Sequence, residues 1–531
     1  MPVISRRRFL TASGSLALAA PFALKHGWAF AAGDAPRSGG TLVIGQYQEP
    51  TFYDPNRQYS WETYRVDRHI YESLVGEDLS QPASAGPPPL VPALAEQWEV
   101  SADQTTFTFT LRQQVSFHDG TPFDAEAVRF NVRRFTDPSF EYFDVQASAS
   151  MRPVYGQLKA LNVLGSHRVQ YVFARPFRDF LRLLPQGNYV SGFFSPKALQ
   201  THGQNGLAEH ACGTGPYTLV ARVRGEKTEL LRNPHYWGPA PLLERLIFRP
   251  IADDATRLSA LQGGEIDLLT RTPTDAIPSL QSAGFTVHDS SNAGELFLSW
   301  NFNNRFAKDL AVRQAVIHAI DRDGLASSLF GGYARPNRNI YNLGNSAYDP
   351  HQQDYPYAPD SARKLLRDAG HAEGSVSFTI ATDVANQPVI EWLRDDLAKV
   401  GIEVKIVSQE WLSYTSRLAK LDDDTALFAM EWGFVTPYWL KLVYDGYVVA
   451  RGGGGALLGA ALGPAIDAAA STVDEQQALH NWRAANALLQ QQAAIVPLLT
   501  FNRYFTTAPK VRGFNVPAQN FYDLARVWLQ A

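Results

Sequence analysis

The sequence offers few side chains whose types and spacing suit catalysis or metal binding. In the segment HACGTG, His210 and Cys212 stand two positions apart, and His202 is the nearest further ligand. A protein zinc site normally holds three or four ligands at defined spacings, so we interpret this segment as structural. The segment FHDG (117–120) has the Asp-Gly chemistry of a tight turn. Neither segment predicts a reactive centre.

The motifs of familiar catalytic and nucleotide-binding sites are also missing from the sequence. The chain contains no Gly-x-Ser-x-Gly elbow, no His-Glu-x-x-His helix and no Gly-x-Gly-x-x-Gly turn. The segment RGGGGALLGAALG (451–463) lacks the Lys-Ser/Thr pair of a phosphate-binding loop, and we interpret it as a glycine-rich loop. We therefore expect no enzyme activity, no catalytic residue, no metal and no cofactor.

Aromatic side chains concentrate in the segment MEWGFVTPYWL (430–440), which holds two tryptophans, a phenylalanine and a tyrosine within eleven positions. Aromatic rings give a binding site a large contact area with little rotamer entropy to lose. Large hydrophobic cores are also rich in aromatic residues. Trp432, Phe434 and Tyr438 are therefore candidate residues for the wall of a ligand site, with core packing as the alternative.

The elements that would position these rings follow from the apolar periodicity. Segments such as TTFTFTLR (105–112) alternate and are rich in β-branched residues, which predicts strands. The stretches 376–383, 388–400 and 401–409 predict a strand, a helix and a strand, an arrangement typical of parallel sheets. The segments 216–223 and 228–233 predict a hairpin. The fold class is therefore α/β, with mixed sheets and flanking helices.

The N-terminus has the pattern of an export signal. SRRRFL (5–10) supplies paired arginines, residues 11–24 are small or apolar, and Ala29-Phe30-Ala31 forms a small-x-small cleavage site. The apolar run is shorter than the ~20 residues that span a bilayer. We therefore expect residues 1–31 to be a twin-arginine signal peptide and the protein to be periplasmic.

The amino-acid composition further limits the class of protein. The chain of 531 residues, 45% hydrophobic and 19% charged, is long enough for two to four folded domains. Its one cysteine is Cys212, so we expect no disulfide and no lipid anchor on a cysteine behind the signal. Removing residues 1–31 takes away four basic residues and no acid, which changes the formal charge from −4 to −8. An acidic protein is a poor partner for nucleic acid or anionic membranes.

Eight segments, in order along nearly the whole chain beyond the signal, resemble the peptide/opine/nickel class of solute-binding proteins of ABC importers, family 5. The segments are YESLV (71–75), 91–131, GTGPYTL (213–219), RNPHYWG (232–238), 253–269, VRQAVIHAID (312–321), SARKLLRDAG (361–370) and 397–411. The resemblance implies a two-lobe hinged periplasmic binding protein with an extra inserted subdomain and no enzymatic activity. It also implies an ABC permease and ATPase as partners, and we expect a monomer.

The resemblance divides the chain into lobes. Lobe I would be discontinuous, with residues 40–70, 212–300 and 509–531. The inserted subdomain would cover 71–211, and lobe II 301–508. A solute would enter between the lobes, which would then close over it.

The cargo is left open between a small peptide or peptide-like solute and alternatives. Many peptide-binding relatives carry an aspartate about three residues after the tryptophan that matches Trp432, where it accepts the peptide ammonium. This chain has Val435 and Thr436 there, which disfavours a ligand held at that position by a free amino terminus. The main alternative is nickel or another metal as an organic chelate, or an opine-like molecule. Another solute, such as a sugar or a glutathione-like or plant-derived molecule, is a further alternative, and a chaperone or an enzyme is a more remote one.

Other candidate ligand residues come from the same resemblance. Tyr47 and Gln48 follow the first strand, where relatives often touch ligand. The remaining candidates are Trp411 after a strand of lobe II, Asn188 and Tyr189 at the mouth of the inserted subdomain, and Arg335, which could neutralise an acidic cargo.

Overall fold

The computed structural model describes residues 35–50, 52–57, 60–80, 87–185, 192–342, 344–352, 355–433, 436–517 and 521–530, without the side chains of 291–293. The signal peptide expected at 1–31 lies outside them. The strands are β1 Thr41–Gln46, β2 Val75–Glu77, β3 Leu90–Pro92, β4 Ala95–Val100, β5 Thr106–Leu111, β6 Leu158–Gly165, β7 Arg168–Phe173, β8 Tyr217–Val223, β9 Lys227–Arg232, β10 Arg245–Pro250, β11 Leu268–Leu269, β12 Thr286–Trp300, β13 Ala334–Pro336, β14 Val376–Asp383, β15 Ile402–Gln409, β16 Thr425–Trp432, β17 Ile495–Thr507, β18 Val511–Arg512 and β19 Trp528–Leu529.

The helices lie between these strands. They are α1 Trp61–Asp67, α2 Ala125–Thr136, α3 Val145–Tyr155, α4 Phe180–Leu183, α5 Pro196–Gly206, α6 Asp254–Gln262, α7 Ile277–Ser282, α8 Arg305–Lys308, α9 Leu310–Ala319, α10 Arg322–Phe330, α11 Pro359–Asp368, α12 Gln387–Ala398, α13 Trp411–Leu418, α14 Trp439–Val443, α15 Gly455–Ser471 and α16 Glu475–Gln491. A π-helix, Tyr444–Arg451, follows α14 directly and leads to α15.

Most strands belong to one mixed sheet in the order β15-β14-β16-β12-β17-β11-β1-β10-β9-β8, with β13 paired to β17. At one end β1 runs parallel to β10 and β11, and at the other β14 runs parallel to β15 and β16. We call β1, β10 and β11 the first strand group and β14, β15 and β16 the second. The long antiparallel strands β12 and β17 connect the two groups.

The pairing of β12 with β17 is interrupted near its middle. The register runs from Thr286 opposite Thr507 to Ser290 opposite Arg503, and it resumes with Gly294 opposite Phe501. An irregularity of this kind adds local twist and bends the strand. The two groups of parallel strands are therefore joined through a locally irregular ladder.

A second, four-stranded antiparallel sheet has the order β4-β5-β7-β6. Alternation along TFTFTL places Phe107 and Phe109 in its core. Helix α2 begins where Asp124 accepts a hydrogen bond from the Ala127 amide, as its N-cap position predicts. In the FHDG segment, the Phe117 amide donates to the Thr121 carbonyl at 2.8 Å, so this segment is the turn that its sequence predicts.

The predicted elements of the second strand group are confirmed, because β14, α12 and β15 form a parallel strand–helix–strand unit. The predicted hairpin is also confirmed as β8 and β9. The interpretation of 451–463 as a loop is wrong, since α15 begins at Gly455. Its buried residues Leu458, Leu462 and Ile466 repeat every four positions, and alanine and leucine favour the helix enough to offset its glycines.

Candidate solute-binding site

The two strand groups present their carboxyl ends to a shared region of the molecule. The second group ends at Asp383, Gln409 and Trp432, and Arg271 lies two residues beyond the end of β11 in the first group. Burial raises the pKa of Asp383, and the positive charge of Arg271 acts in the opposite direction. Beyond β11 the Thr272 amide donates to the Tyr504 carbonyl at 2.8 Å, and the neighbouring Arg503 pairs with Glu431 near the end of β16, so the ends of the two groups lie close to each other. Ligands of open α/β sheets bind beyond such carboxyl ends.

A cavity of about 540 Å³ opens beside the end of β16. We call it the aromatic cavity, since Phe177, Trp432, Tyr438 and Tyr447 contribute rings to its lining. Residues of α3 and of the stretch from α14 to α15 form much of the rest of its wall, and Gly156, Gln157, Pro176, Leu418 and Ala419 complete it. Its volume falls within the 300–1,000 Å³ typical of small-molecule sites.

The rings of the aromatic cavity also pack against one another. The Trp432 ring lies edge-on to Trp439 at 4.7 Å and to Tyr447 at 5.4 Å between centroids. Tyr438 lies 5.4 Å from Phe177, and its hydroxyl donates to the Pro153 carbonyl at 3.4 Å. Trp432 and Tyr438 are 6% and 4% exposed. The structure therefore places both predicted residues in the cavity wall and in the core at once.

Three of the charged side chains that line the aromatic cavity, Lys441, Asp445 and Asp467, are paired with one another, and Arg152 and Arg451 also line it. The Lys441 ammonium lies 2.8 Å from Asp445 and 3.0 Å from Asp467. Burial lowers the pKa of Lys441, but the two carboxylates outweigh burial and the net shift is upward. Arg175 also pairs with Asp467, at 3.3 Å. This wall thus offers aromatic surface beside an internally paired set of charges.

A different set of charges gathers at the strand ends, and we call it the strand-end charges: Arg65, Arg271, Arg503, Glu62, Glu431 and Asp383. Arg65 pairs with Glu62 at 2.6 Å, and Arg503 forms an ion pair with Glu431. Burial, reinforced by the nearby positive charge of Arg271, lowers the pKa of Arg503 to about 9. The guanidinium carbon of Arg271 lies 5.0 Å from the centre of the Tyr47 ring.

The other predicted ligand residues are more scattered. Tyr47 and Gln48 are half-buried at the end of β1, and Trp411 begins α13 with its ring 6.2 Å from Tyr414. Arg335 is exposed on β13. None of the four lines the aromatic cavity. Phe434, Asn188 and Tyr189 lie outside the described residues.

The sequence analysis missed the strand-end charges, including Arg271, Asp383, Glu431 and Arg503. Asp383 and Glu431 stand at the ends of predicted strands, and Arg271 follows one. A charged residue at the end of an apolar strand is the signal that could have found them. At HACGTG, the rings of His202 and His210 stack at 3.9 Å between centroids and Cys212 is buried. Over the described part of the chain, no group of three or more histidine, cysteine or acidic residues could hold a metal ion.

A family model described as bacterial extracellular solute-binding proteins, family 5 Middle, matches residues 89–444. The chain belongs to this family. Family 5 proteins are solute-binding proteins of ABC importers, so the expected family and function class are confirmed. Within the described residues, no helix has the length and apolarity needed to cross a membrane.

Named relatives of this family 5 protein bind peptides. It is 28% identical over 402 residues to the glutathione-binding protein GsiB of Escherichia coli O157:H7, covering 75% of this chain and 74% of that protein. It is 27% identical over 408 residues to di/tripeptide-binding protein 2 of Pseudomonas aeruginosa, covering 73% and 76%. The structure of DppA from Helicobacter pylori in complex with peptide STSA matches with a TM-score of 0.85 and 25% identity, over 93% of this chain and 99% of DppA. The expected two-lobed α/β fold is thereby confirmed.

Proposed function

We propose that this family 5 protein captures a small peptide or peptide-like solute between its two lobes and delivers it to an ABC permease and ATPase. The observation that carries the proposal is the meeting of the two strand groups, where the Thr272 amide beyond β11 donates to the Tyr504 carbonyl and the neighbouring Arg503 pairs with Glu431 of β16. A solute bound there would contact both groups at once, which is the geometry that couples binding to closure. The peptide-binding names of the relatives support this class of cargo.

The lobes that we propose are those expected from the sequence: 40–70, 212–300 and 509–531 for lobe I, 71–211 for the inserted subdomain and 301–508 for lobe II. Strands β12 and β17 would supply the crossings, and the irregular pairing between Ser290 and Gly294, shortly before the proposed end of lobe I at residue 300, is our candidate hinge. Shifting a two-state equilibrium from 1:99 to 99:1 takes about 5.5 kcal/mol. A micromolar ligand binds with about 8 kcal/mol, so the cargo alone could drive closure.

The residues proposed to contact cargo fall into two sets. The aromatic wall would comprise Trp432, Phe434 and Tyr438. The remaining proposed contacts are Trp411, Tyr47, Gln48, Asn188, Tyr189 and Arg335. We further propose that residues 1–31 direct export to the periplasm by the twin-arginine route, and that the mature protein is a monomer without a lipid anchor.

The proposal is tested by measuring closure with defined solutes. The protein is titrated with a panel of di- and tripeptides while its melting temperature and radius of gyration are followed. A binding solute should raise the melting temperature, reduce the radius of gyration and remain chemically unchanged. Consumption of the solute would instead indicate an enzyme. Binding of unfolded chains without a response to small solutes would indicate a chaperone.

Native mass spectrometry of protein purified from its own periplasm separates the two cargo classes. A retained metal-free mass equal to a peptide would support the proposal. A nickel-containing adduct would contradict it and favour the metal-chelate alternative.

A further inference from the structure

The aromatic cavity has two walls that come from distant parts of the chain. Residues between 149 and 157, together with 176 and 177, form one wall, and residues between 418 and 471 form the other. The walls touch where the Phe177 ring lies 5.4 Å from the Tyr438 ring between centroids. A solute that fills this cavity would therefore contact both parts of the chain.

The charged side chains that line the aromatic cavity do not balance. Three are basic, namely Arg152, Lys441 and Arg451, and two are acidic, namely Asp445 and Asp467. The Lys441 ammonium pairs with both carboxylates, at 2.8 and 3.0 Å. Among the described residues, no carboxylate forms an ion pair with Arg152 or Arg451. The cavity thus offers two cations to a negatively charged ligand group.

The π-helix holds Arg451 at the cavity wall. Arg451 is its last residue, and Asp445, Gly446, Tyr447 and Ala450 of the same helix also line the cavity. The Arg451 guanidinium donates to the Gly446 carbonyl at 3.1 Å, and its carbon lies 4.8 Å from the centre of the Tyr447 ring. A guanidinium has five N–H donors, so donors remain for a ligand. π-Helical turns are rare, and many of those known lie at functional sites.

The glycines that follow Arg451 fix the end of the π-helix. A side chain at Gly452 would bring its β-carbon to 2.4 Å from the Trp300 carbonyl oxygen and to 2.7 Å from that of Tyr447. Gly453 has a φ angle of +70°, a conformation that glycine adopts without steric cost. The Gly452 amide donates to the Tyr447 carbonyl at 2.9 Å. The glycine-rich segment therefore holds the backbone of Arg451 in a defined position.

Arg152 lies on the opposite wall, in helix α3, and it is exposed. The carbonyl of the adjacent Pro153 accepts a hydrogen bond from the Tyr438 hydroxyl at 3.4 Å. This turn of α3 is thereby held against the wall that carries Arg451. A negatively charged group between the walls would have an arginine on each side.

We propose that the aromatic cavity binds a carboxylate of the cargo together with an aromatic or large apolar side chain next to it. The carboxylate would lie on Arg451 and Arg152, and the side chain would lie against the rings. A guanidinium binds a carboxylate through two parallel hydrogen bonds, and aromatic rings give an apolar group a large contact area. This inference rests on the proposed function, and it narrows the cargo to acidic solutes with a large apolar group beside the charge.

Calorimetric titration with matched dipeptides tests the carboxylate inference. Alanyl-phenylalanine carries both the carboxylate and the ring, alanyl-phenylalaninamide lacks the carboxylate, and alanyl-alanine lacks the ring. We expect the wild type to bind alanyl-phenylalanine about ten- to a hundredfold more tightly than the amide, the range of one charged hydrogen bond. Loss of the ring should weaken binding by a similar factor, about ten- to a hundredfold, because the buried apolar side chain is lost.

The variants assign the carboxylate preference to the two arginines. Arg451→Gln should abolish the preference for the free acid over the amide. Arg152→Gln should reduce that preference by about threefold, since solvent screens an exposed charge. Arg451→Lys should retain part of it, because lysine keeps the charge but loses the two-pronged geometry. All three variants should keep the preference for the ring, which shows that the cavity itself is intact.

Arg133→Gln is the matched control. The Arg133 guanidinium carbon lies 4.4 Å from the centre of the Phe140 ring, much as Arg451 lies over Tyr447. Arg133 differs in that it pairs with Asp137 at 2.8 Å and does not line the aromatic cavity. This variant should bind all three dipeptides like the wild type. Melting temperatures confirm that each variant is folded.

Each outcome decides something different. If alanyl-phenylalanine and its amide bind equally well, or if none of the three probes binds while other peptides do, the carboxylate inference is overturned and the proposed function stands. If the free acid is preferred but Arg451→Gln keeps that preference, the assignment to Arg451 is overturned. If no peptide binds and the purified protein retains a metal chelate, both the inference and the proposed function are overturned.

Discussion

The aromatic cavity and the strand-end charges meet at the end of β16, where Trp432 and Glu431 are neighbours, and they differ in what they offer a solute. In the cavity, aromatic rings line the wall and Lys441 is held between Asp445 and Asp467. At the strand ends, Arg503 pairs with Glu431 and the Arg271 guanidinium lies over the Tyr47 ring. Apolar area is non-directional, whereas charge pairs fix orientation and reject wrong partners. The comparison suggests that affinity and selectivity are separable in this protein.

The largest expected effect on stability comes from breaking the ion pair between Glu431 and Arg503. Glu431→Gln leaves the Arg503 guanidinium without its carboxylate, and both side chains are only about one-tenth exposed. Removing one partner of such a pair should lower the free energy of unfolding by about 3 kcal/mol, measured by urea denaturation. The double variant Glu431→Gln/Arg503→Gln should recover much of the loss. Equal losses in the single and double variants would contradict the role of unpaired charge.

Substituting two tryptophans in turn distinguishes a side chain of the cavity wall from a side chain of the core. Trp432→Phe and Trp439→Phe should each lower the free energy of unfolding by about 1–2 kcal/mol, because both rings are buried. Trp432 lines the aromatic cavity and Trp439 does not. Cargo affinity, measured by calorimetry with the best-binding peptide, should therefore fall about tenfold in the first variant alone. Equal affinities in the two variants would show that Trp432 serves packing only.

The smallest expected effect is a pH dependence beside the aromatic cavity. Burial raises the pKa of Asp179 to about 6, although Arg178 and Arg182 act against it. The folded state therefore binds this proton more tightly than the unfolded state, whose pKa is about 4. The contribution of Asp179 to stability is greatest at low pH and declines as pH rises from 4 to 6.

Asp179→Asn should remove that decline. A difference of two pKa units corresponds to about 2.7 kcal/mol, and because Asp179 is partly exposed, solvent screening reduces the expected decline to about 1 kcal/mol. Urea denaturation at pH 4.5 and pH 7 measures the difference. A pH slope in the variant equal to that of the wild type would show that Asp179 is not its source.

Local sequence patterns predicted much of the fold because strand alternation and helical periodicity depend on residues that are close together in the sequence. Alternation identified β5, and the β14–α12–β15 unit followed from its two periodicities. The failure at α15 has a local cause too. The glycines before Gly455 suggested a loop, but the following Leu458, Leu462 and Ile466 bury one helical face.

The site was harder to predict because its parts meet only in three dimensions. Trp432 and Tyr438 stand six positions apart and were found together in the sequence, and they line one cavity. Glu431 and Arg503 are more than seventy positions apart and meet in an ion pair because β12 pairs with both of their strands, β16 and β17. Sequence reasoning without that pairing had no reason to connect them.

The burial of Cys212 has a practical consequence for measuring closure. It is the one cysteine of the chain, it is buried, and burial raises its pKa to about 12. Because the thiolate is the reactive form, the Cys212 side chain should not react with maleimide dyes at neutral pH. A cysteine introduced at the exposed Val384, next to Asp383, would then be the single site that takes a fluorophore. The natural chain is thus already suited to conversion into a one-dye optical sensor for its own cargo.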